Sequence, residues 1–199
     1  MKKSIYLILA VSILTTMCEM DDVVIGKGEL VDNTIELSSF NKISIEGQAS
    51  VSVAYGDTQK VTITAQQNIF EAMNNHVSNG KLFIDYKEHT SVQSSKGIIV
   101  KIISPTAITD FSVDGSGDLI ISGKPQDVFN TEINGSGSVN AYDLEVCNVS
   151  ISIDGSGNCK VKATKTLDVE INGSGTVSYK GSPKVTQSIS GSGSLKDAN

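Results

Sequence analysis

A glycine-serine-glycine motif, preceded by Asp, Asn or Ser, occurs five times in the second half of the sequence. The copies begin at Asp114, Asn134, Asp154, Asn172 and Ser190, at spacings of 20, 20, 18 and 18 residues. Apolar and polar residues alternate on both sides of each copy, which is the pattern of a half-buried β-strand. A unit this short cannot bury its own apolar face, so neighbouring units must stack on one another. The repeat therefore predicts an all-β, solenoid-like fold of the parallel β-helix type, in which 18–20-residue coils turn at D/N-G-S-G corners.

The geometry of a corner explains each residue of the motif. Asp and Asn before the turn tolerate left-handed backbone conformations and hydrogen-bond to the backbone that follows, and glycine adopts a positive φ without strain. In the copy INGSGSV at 133–139, we therefore expect a positive φ at Gly135, at Gly137 or at both.

Two chemical interpretations of the motif fit the sequence less well. A phosphate-binding loop leads into a helix and usually carries a lysine, whereas each copy here leads into an alternating strand. Calcium binding is suggested by Asp114, Asp118 and Asp154, but four of the five corners offer at most one carboxylate. Calcium-binding nonapeptide repeats also have a much shorter period. We expect a structural ladder of Asp and Asn, with no metal and no cofactor.

The N-terminus has the pattern of an export signal. Two lysines precede an apolar run from Ile5 to Leu14, which is too short to remain as a membrane-spanning helix. The segment that ends at Cys18 resembles the lipobox of bacterial lipoproteins. This resemblance implies a signal peptide over 1–17, lipidation of Cys18 and a lipid-anchored tether over 18–27. An ordinary secretory signal with an incidental cysteine is the alternative.

The residues after Cys18 bear on location. The sequence EMDD follows it directly, and acidic residues there resemble the signal that sends lipoproteins of some Gram-negative bacteria to the outer face of the cell. We therefore expect a protein that is attached to the outer membrane by its lipid and faces the cell exterior. The periplasmic face is the alternative.

The rest of the mature chain, residues 28–199, is expected to form a single β-rich domain. It divides into an irregular half over 28–105 and regular repeats over 106–199. A fainter copy of the repeat, ISIEGQASVSV at 43–53, opens the irregular half. The segment NIFEAMN at 68–74 predicts one or two helical turns.

Two further segments of the irregular half predict β-structure. VSNGKLFIDY at 77–86 places Asn79 and Gly80 between alternating runs, which indicates a hairpin. GIIVKIISP at 97–105 predicts a strand that ends at its proline.

The charge of the chain argues against nucleic acid as a partner. All 16 basic residues are lysines, the acidic residues number 22, and the formal net charge is −6. Nothing in this composition attracts a phosphate backbone.

The remaining cysteines and histidines are not expected to form a site. Cys159 aligns with apolar positions of the other copies such as Val139, so we expect it in the core. Cys147 falls in a connector at a different offset within its unit, so we expect no disulfide between the two. His76 and His89 lack the partner spacing of a metal site or a catalytic triad and are expected at the surface.

Several segments taken together resemble the head GIN domain family of auto-transporter adhesins. They are FNKISIEGQASVSVAYGD, NGKLFI, ITDFSVDGSGDLIISG, the recurring D/N-G-S-G and VSYKGSPKVTQSISGSGSL. The resemblance covers about residues 28–196. It implies a β-rich, solenoid-like domain on exported or surface proteins, and it supplies no catalytic residues.

The sequence thus predicts a non-catalytic cell-envelope lipoprotein that presents a repetitive β surface for adhesion or envelope assembly, with a surface glycan or a protein as its ligand. The alternative is a polysaccharide-binding or polysaccharide-acting β-helix protein. That alternative needs a charged cluster on one face or aromatic platforms for sugars. The chain has no Arg, no Trp, five Tyr and five Phe, which favours the first interpretation.

Overall fold

The computed structural model describes residues 22–199, so Cys18 lies outside the described residues. Within this range the chain is nearly all β-structure, with one short helix, α1 (Gln67–Ala72). The strands are β1 (Asp22–Ile25), β2 (Leu30–Ile35), β3 (Lys42–Gly47), β4 (Ser50–Tyr55), β5 (Lys60–Gln66), β6 (His76–Ser78), β7 (Lys81–Ile84), β8 (Thr90–Gln93), β9 (Ile99–Ser104), β10 (Asp110–Gly115), β11 (Asp118–Ser122), β12 (Gln126–Gly135), β13 (Ser138–Gly155), β14 (Asn158–Gly173), β15 (Thr176–Lys180), β16 (Lys184–Gly191) and β17 (Ser194–Asp197). The predicted all-β class is confirmed.

Among the described residues, fifteen strands form one curled sheet that contains two ladders of parallel strands. The pre-corner ladder consists of β3, β10, β12, the second halves of β13 and β14, and β16. The post-corner ladder consists of β4, β11, the first halves of β13 and β14, β15 and β17. Because β13 and β14 each run through both ladders, the sheet is continuous around the core.

Side chains at equivalent positions of the units form columns in the core. In the pre-corner ladder, one inner column holds Ile45, Val113, Ile133, Ile153, Ile171 and Ile189. In the post-corner ladder, one inner column holds Val51, Leu119, Val139, Cys159, Val177 and Leu195. The predicted core position of Cys159 is thereby confirmed. The fainter copy at 43–53 is the first unit, since Gly47 pairs with Gly115.

The two glycines of each corner are required for different reasons. Gly135 has φ of 122°, as the sequence predicted, and a Cβ there would collide with the Gly115 carbonyl oxygen. Gly137 has no positive φ, but a Cβ on it would lie 2.5 Å from the carbonyl oxygen of Gly117. Between them, the Ser136 amide donates a 2.8 Å hydrogen bond to the Gly115 carbonyl. The first glycine is required for its positive φ, and the second is required because a side chain there would collide with the neighbouring unit.

A bulge in β13 absorbs the change of spacing from 20 to 18 residues. Ala141 pairs with Val161, whereas Glu145 pairs with Lys162, so three residues of β13 stand against none of β14. One extra residue of β14 between Ala163 and Thr166 then leaves the net difference of two. Bulges of this kind redirect side chains. Here Leu144 turns into the core and is 1% exposed, and Tyr142 stays half-buried on the outside.

The two ends of the stack of units differ. At the closed end, β5 pairs antiparallel with both β2 and β9, and the β6–β7 hairpin lies beside β3. The hairpin turns at Asn79 and Gly80, with φ of 50° and 71°, and α1 buries Ile69, so the hairpin, the helix and the strand predicted over 97–105 are confirmed. At the open end, no strand within residues 22–199 pairs with the outer edge of β16 or β17.

Part of the predicted tether is folded. Residues 22–25 form β1, which pairs in parallel with β8. The Asn68 side chain of α1 donates a 2.8 Å hydrogen bond to the Ile25 carbonyl. The folded region therefore begins earlier than residue 28, because partners distant in sequence hold this segment.

Candidate binding surface

The two ladders present outer faces of opposite charge. Because side chains alternate along a strand, every second residue of each ladder points away from the core. The outer face of the pre-corner ladder, here the acidic face, carries Glu46, Asp110, Asp114, Glu132, Asp154, Asp168 and Glu170. The outer face of the post-corner ladder and the adjoining β9, here the lysine face, carries Lys101, Lys160, Lys162, Lys180 and Lys196, against the acidic residues Asp118, Asp143 and Glu145.

Several polar groups of the acidic face bond to one another. Asp110 accepts hydrogen bonds from Thr109 at 2.7 Å and from Asn130 at 3.2 Å, and lies 3.7 Å from the Lys42 ammonium. Burial would raise the pKa of Asp110, but these hydrogen bonds and the lysine together hold it below its ordinary value. The Ser112 hydroxyl likewise donates to that of Ser44, 2.9 Å away on the neighbouring strand. Apart from the bond from Thr109, these contacts connect neighbouring units outside the corner column, so the structural ladder expected at the corners stays a prediction.

The lysine face leaves most of its charge unpaired. Lys162 forms an ion pair with Glu145 at 2.8 Å. Among the described residues, Lys160, Lys180 and Lys196 form no ion pair, and all three are exposed. These three ammonium groups are therefore available to an anion.

The bulge places an aromatic ring among these lysines. The ammonium of Lys180 lies 4.6 Å from the centroid of the Tyr142 ring, and that of Lys160 lies 6.0 Å from it. Both distances allow cation–π attraction, which holds the long lysine side chains close to the surface. A comparable pair stands farther toward the closed end, where the Lys124 ammonium is 3.9 Å from the Tyr55 centroid.

A shallow groove of about 310 Å³ crosses the same part of the lysine face. Its polar lining consists of Ser138, Asn140, Asn158, Lys160, Thr176 and Ser178. These side chains come from three successive units, since Asn140 pairs with Lys160 and Lys160 with Ser178. Hydroxyl, amide and ammonium groups thus line one concave surface.

A second cavity, of about 280 Å³, lies where the connectors follow β4, β9 and β11. Apolar side chains such as Val53, Ile121 and Leu144 form much of it. The Gln126 amide at its edge is already bonded, because it donates to the backbone carbonyls of Ile108 and Val128 at 2.9 and 2.8 Å. This cavity therefore presents an apolar surface to a ligand, with few polar groups left to form hydrogen bonds.

Asp118, one of the aspartates considered for calcium, points outward on the lysine face, and the buried Cys159 contributes to the lining of its groove. The other residues singled out in the sequence lie apart from that face or outside the described residues. Cys18 belongs to the latter group. Cys147 is half-buried and Cys159 is buried, both are free thiols, and burial raises the pKa of Cys159. His89 is exposed, and His76, also exposed, stacks on the Phe83 ring with centroids 4.9 Å apart.

Within residues 22–199, no three His, Cys, Asp or Glu side chains come close enough together to hold a metal ion. In that same range, no helix has the length and apolar character needed to cross a bilayer.

The lysine face was missed by sequence reasoning. Its residues lie 16 or more positions apart except for the pair Lys160 and Lys162, and the net charge of the chain has the opposite sign. The alternation of inward and outward positions along each strand could have revealed the face. Lys160, Lys180 and Lys196 all occupy outward positions in strands that follow a corner.

The chain belongs to the family described as "Putative auto-transporter adhesin, head GIN domain". The family profile matches twice, over residues 39–128 and 109–183, and the two matches together cover the stacked units from the first corner to β15. The resemblance noted in the sequence is thereby confirmed. No curated protein matches the chain.

Two solved structures share the fold. One, described as a putative adhesin from Bacteroides fragilis, is 21% identical, with a TM-score of 0.59 over 87% of this chain and 99% of that one. Another, described as a putative lipid binding protein from Parabacteroides distasonis, is 22% identical, with a TM-score of 0.51 over 89% of this chain and 100% of that one.

Proposed function

We propose that this protein is a non-catalytic lipoprotein of the cell envelope whose stacked β faces serve adhesion or envelope assembly. The observation that carries the proposal is the match to the head GIN domain family across the stacked units. The description of the stack as a solenoid of the parallel β-helix type belongs to the same proposal. The in-register parallel pairing of successive corners, such as Gly135 with Gly155 and Gly155 with Gly173, supports it.

Lipidation of Cys18 would place the closed end of the stack next to the membrane. Three residues separate Cys18 from Asp22, the first residue of β1. An extended segment of this length reaches about 10 Å. Because β1 is hydrogen-bonded to α1 at the closed end, the open end would point away from the bilayer. We infer a protein that is attached to the outer membrane by its lipid and presents both outer faces to the exterior.

The anchor is tested by substitution of its cysteine. Cys18→Ala should release the protein from the membrane fraction, whereas the matched control Cys147→Ala should leave it anchored, since Cys147 is a half-buried thiol of the folded domain. Fractionation followed by protease treatment of whole cells measures both attachment and exposure. A Cys18→Ala variant that remains in the membrane fraction would overturn the lipoprotein assignment.

The adhesion role is tested on cells. A strain without the gene, the same strain complemented with the wild type, and one complemented with Cys18→Ala are compared for attachment to glycan and extracellular-matrix arrays. Attachment should be lost with the gene and restored by the anchored protein alone. Equal attachment by all three strains would contradict an adhesive role.

A further inference from the structure

We propose that the part of the lysine face formed by β13, β14, β15 and β17 binds an acidic polysaccharide through the carboxylates of its sugars. The inference rests on the proposed adhesion role and specifies its ligand class. Its site comprises the groove, the Tyr142 ring and the three unpaired lysines Lys160, Lys180 and Lys196.

The spacing of the lysines suits a linear polyanion. Lys160 pairs with Ser178, and Ser178 pairs with Lys196, so the two lysines lie in one row with a serine between them. Strands are about 4.8 Å apart, which places the Cα atoms of the two lysines about 10 Å apart along the stack. A polymer that repeats a carboxylate along its chain can contact both ammonium groups at once.

The groove between the charges suits neutral parts of a sugar. Ser138, Asn158 and Thr176 form one row of its lining, and Asn140, Lys160 and Ser178 form the next. Hydroxyl and amide groups both donate and accept hydrogen bonds, as sugar hydroxyls do. A ligand bound across the rows would therefore satisfy polar groups along its length.

Tyr142 provides an apolar surface beside Lys160, which lines the groove, and beside Lys180. Its ring is half-buried and is held against Lys180, with the ammonium 4.6 Å from the centroid. The Tyr142 ring can pack against the apolar C–H groups of a sugar while Lys180 contacts the carboxylate of the same residue. The sequence alone gave no indication that an aromatic residue would lie beside lysines from the next two units.

The chemistry of this region favours a polysaccharide over an anionic lipid surface. The exposed isoleucines of the lysine face, Ile99, Ile103 and Ile120, lie on β9 and β11, toward the closed end. Ile120 borders the groove beside Asn140, but the groove itself is lined by hydroxyls and amides, and no large aliphatic side chain is exposed between Lys160 and Lys196. A surface made for lipid insertion would carry its apolar side chains among its charges.

The test measures binding of the full-length lipoprotein, purified in nonionic detergent, to immobilised polygalacturonate, with dextran as the neutral control polymer. The wild type should bind polygalacturonate and not dextran, and binding should weaken as salt is raised. The triple variant Lys160→Gln, Lys180→Gln, Lys196→Gln should bind about tenfold more weakly or worse, because it removes the ammonium groups that pair with the carboxylates. Tyr142→Ala should also weaken binding, by a smaller factor.

Two control variants separate this site from net charge and from folding. Replacing exposed lysines elsewhere, Lys27→Gln, Lys87→Gln and Lys184→Gln, changes the net charge equally and should leave affinity within about twofold. Replacing the three site lysines by arginine keeps the charges and should retain binding. Mixed micelles that contain phosphatidylglycerol or phosphatidylcholine serve as competitors.

Each outcome has one meaning. Selective loss in the glutamine variant at the site supports the proposal. Equal loss in both glutamine variants, or no binding by the wild type, overturns it. Binding that phosphatidylglycerol micelles abolish and free oligogalacturonate does not would assign the site to lipid headgroups and also overturn it. Cells that attach normally with the glutamine variant at the site would leave the adhesion role intact and refute only this ligand.

Discussion

The same column of isoleucines is buried at one end of the stack and open at the other. Ile45 in the first unit is fully buried, whereas Ile189 in the last unit is 37% exposed. The residues around them in their own units are alike, so the difference comes from what lies beside each unit. At the closed end β7 pairs with β3, and β9 with β4, whereas within residues 22–199 the strands of the last unit have a partner on one side only.

This contrast explains why the first half of the sequence is irregular. A stack of identical units cannot terminate itself, because each unit leaves an edge that another could extend. The stack ends at one side against a group of elements that do not carry the repeat motif in their sequences. They are the antiparallel strands β2 and β5, the β6–β7 hairpin and α1. The irregular half is thus a cap fused to the first repeat unit.

The largest difference between interior and open end should appear when a core isoleucine is truncated. Ile133→Ala should lower the free energy of unfolding by about 2–5 kcal/mol, because it leaves a cavity among side chains of both neighbouring units. Ile189→Ala removes the same atoms from a partly exposed site and should cost less than about 1 kcal/mol. Denaturant unfolding of both variants measures the difference. Equal losses would show that the last unit is covered in solution.

Substitution of a corner glycine should give the next largest effect. Gly135→Val places a β-branched side chain at φ of 122° and against the Gly115 carbonyl, and should cost about 1–3 kcal/mol. Gly191→Val meets the Gly173 carbonyl in the same way, but the last unit can move outward, so the cost should be smaller. Ser136→Ala, whose side chain is exposed, is the mild control. Thermal melts in which Gly191→Val is the more damaging change would contradict this order.

A smaller effect is expected from a carboxylate in the cap. Burial raises the pKa of Asp85, and one of its side-chain oxygens is buried without a hydrogen-bond partner among the described residues. An acid with a raised folded-state pKa favours folding while protonated, so this stabilisation is full below the unfolded value and is lost as the pH rises through the folded value.

Asp85→Asn should therefore make the protein more stable at neutral pH and reduce the fall in stability as the pH rises above 3.8. The exposed carboxylate of Asp127 provides the matched control, since Asp127→Asn should change neither. Unfolding curves recorded at a series of pH values measure both variants. A destabilised Asp85→Asn protein at neutral pH would show that the charged carboxylate supports the cap.

The smallest effect is expected from calcium. The corner column begins at the closed end with neighbouring carboxylates, Glu46 and Asp114, and ends at the open end with Asn172 and Ser190. We expect this column to be a structural ladder and not a metal site, so added calcium should shift the melting temperature by less than about 2 °C. A large rise that a chelator reverses would place a metal at the closed end and widen the difference between the ends.

Local features of the fold were predictable from the sequence. The alternation around each corner fixed which residues face inward, so the column that contains Cys159 followed from alignment of the copies alone. The hairpin at Asn79 and Gly80 and the helical turn at 68–74 also carry signals within a few residues. The repeat period, the alternation of inward and outward residues and the turn residues are local properties. They were sufficient to predict these features of the fold.

Long-range pairing was not predictable in the same way. The partner of β1 is β8, more than sixty residues away, and neither strand belongs to the repeat. The lysine face also depends on pairing between residues that are distant in sequence. Lys160 and Lys196 become near neighbours only when units of 18 residues lie in register. The net charge of −6 concealed the face, since it sums the whole chain and does not show that seven of the acidic residues lie on the outer face of the other ladder.

The corner hydrogen bonds give the stack an electrical direction. The backbone amide of Ser192 donates to the Gly173 carbonyl, and the series continues from unit to unit until the amide of Ser116 donates to the carbonyl of Gly47. Each amide belongs to the same peptide group as the next acceptor, so the five bonds are connected head to tail and polarise one another. The Gly191 carbonyl, in the same peptide group as the Ser192 amide, accepts none of these five bonds and is the free end of the series. It therefore resembles the final carbonyl of a helix, with a partial negative charge that attracts cations and hydrogen-bond donors to the open end.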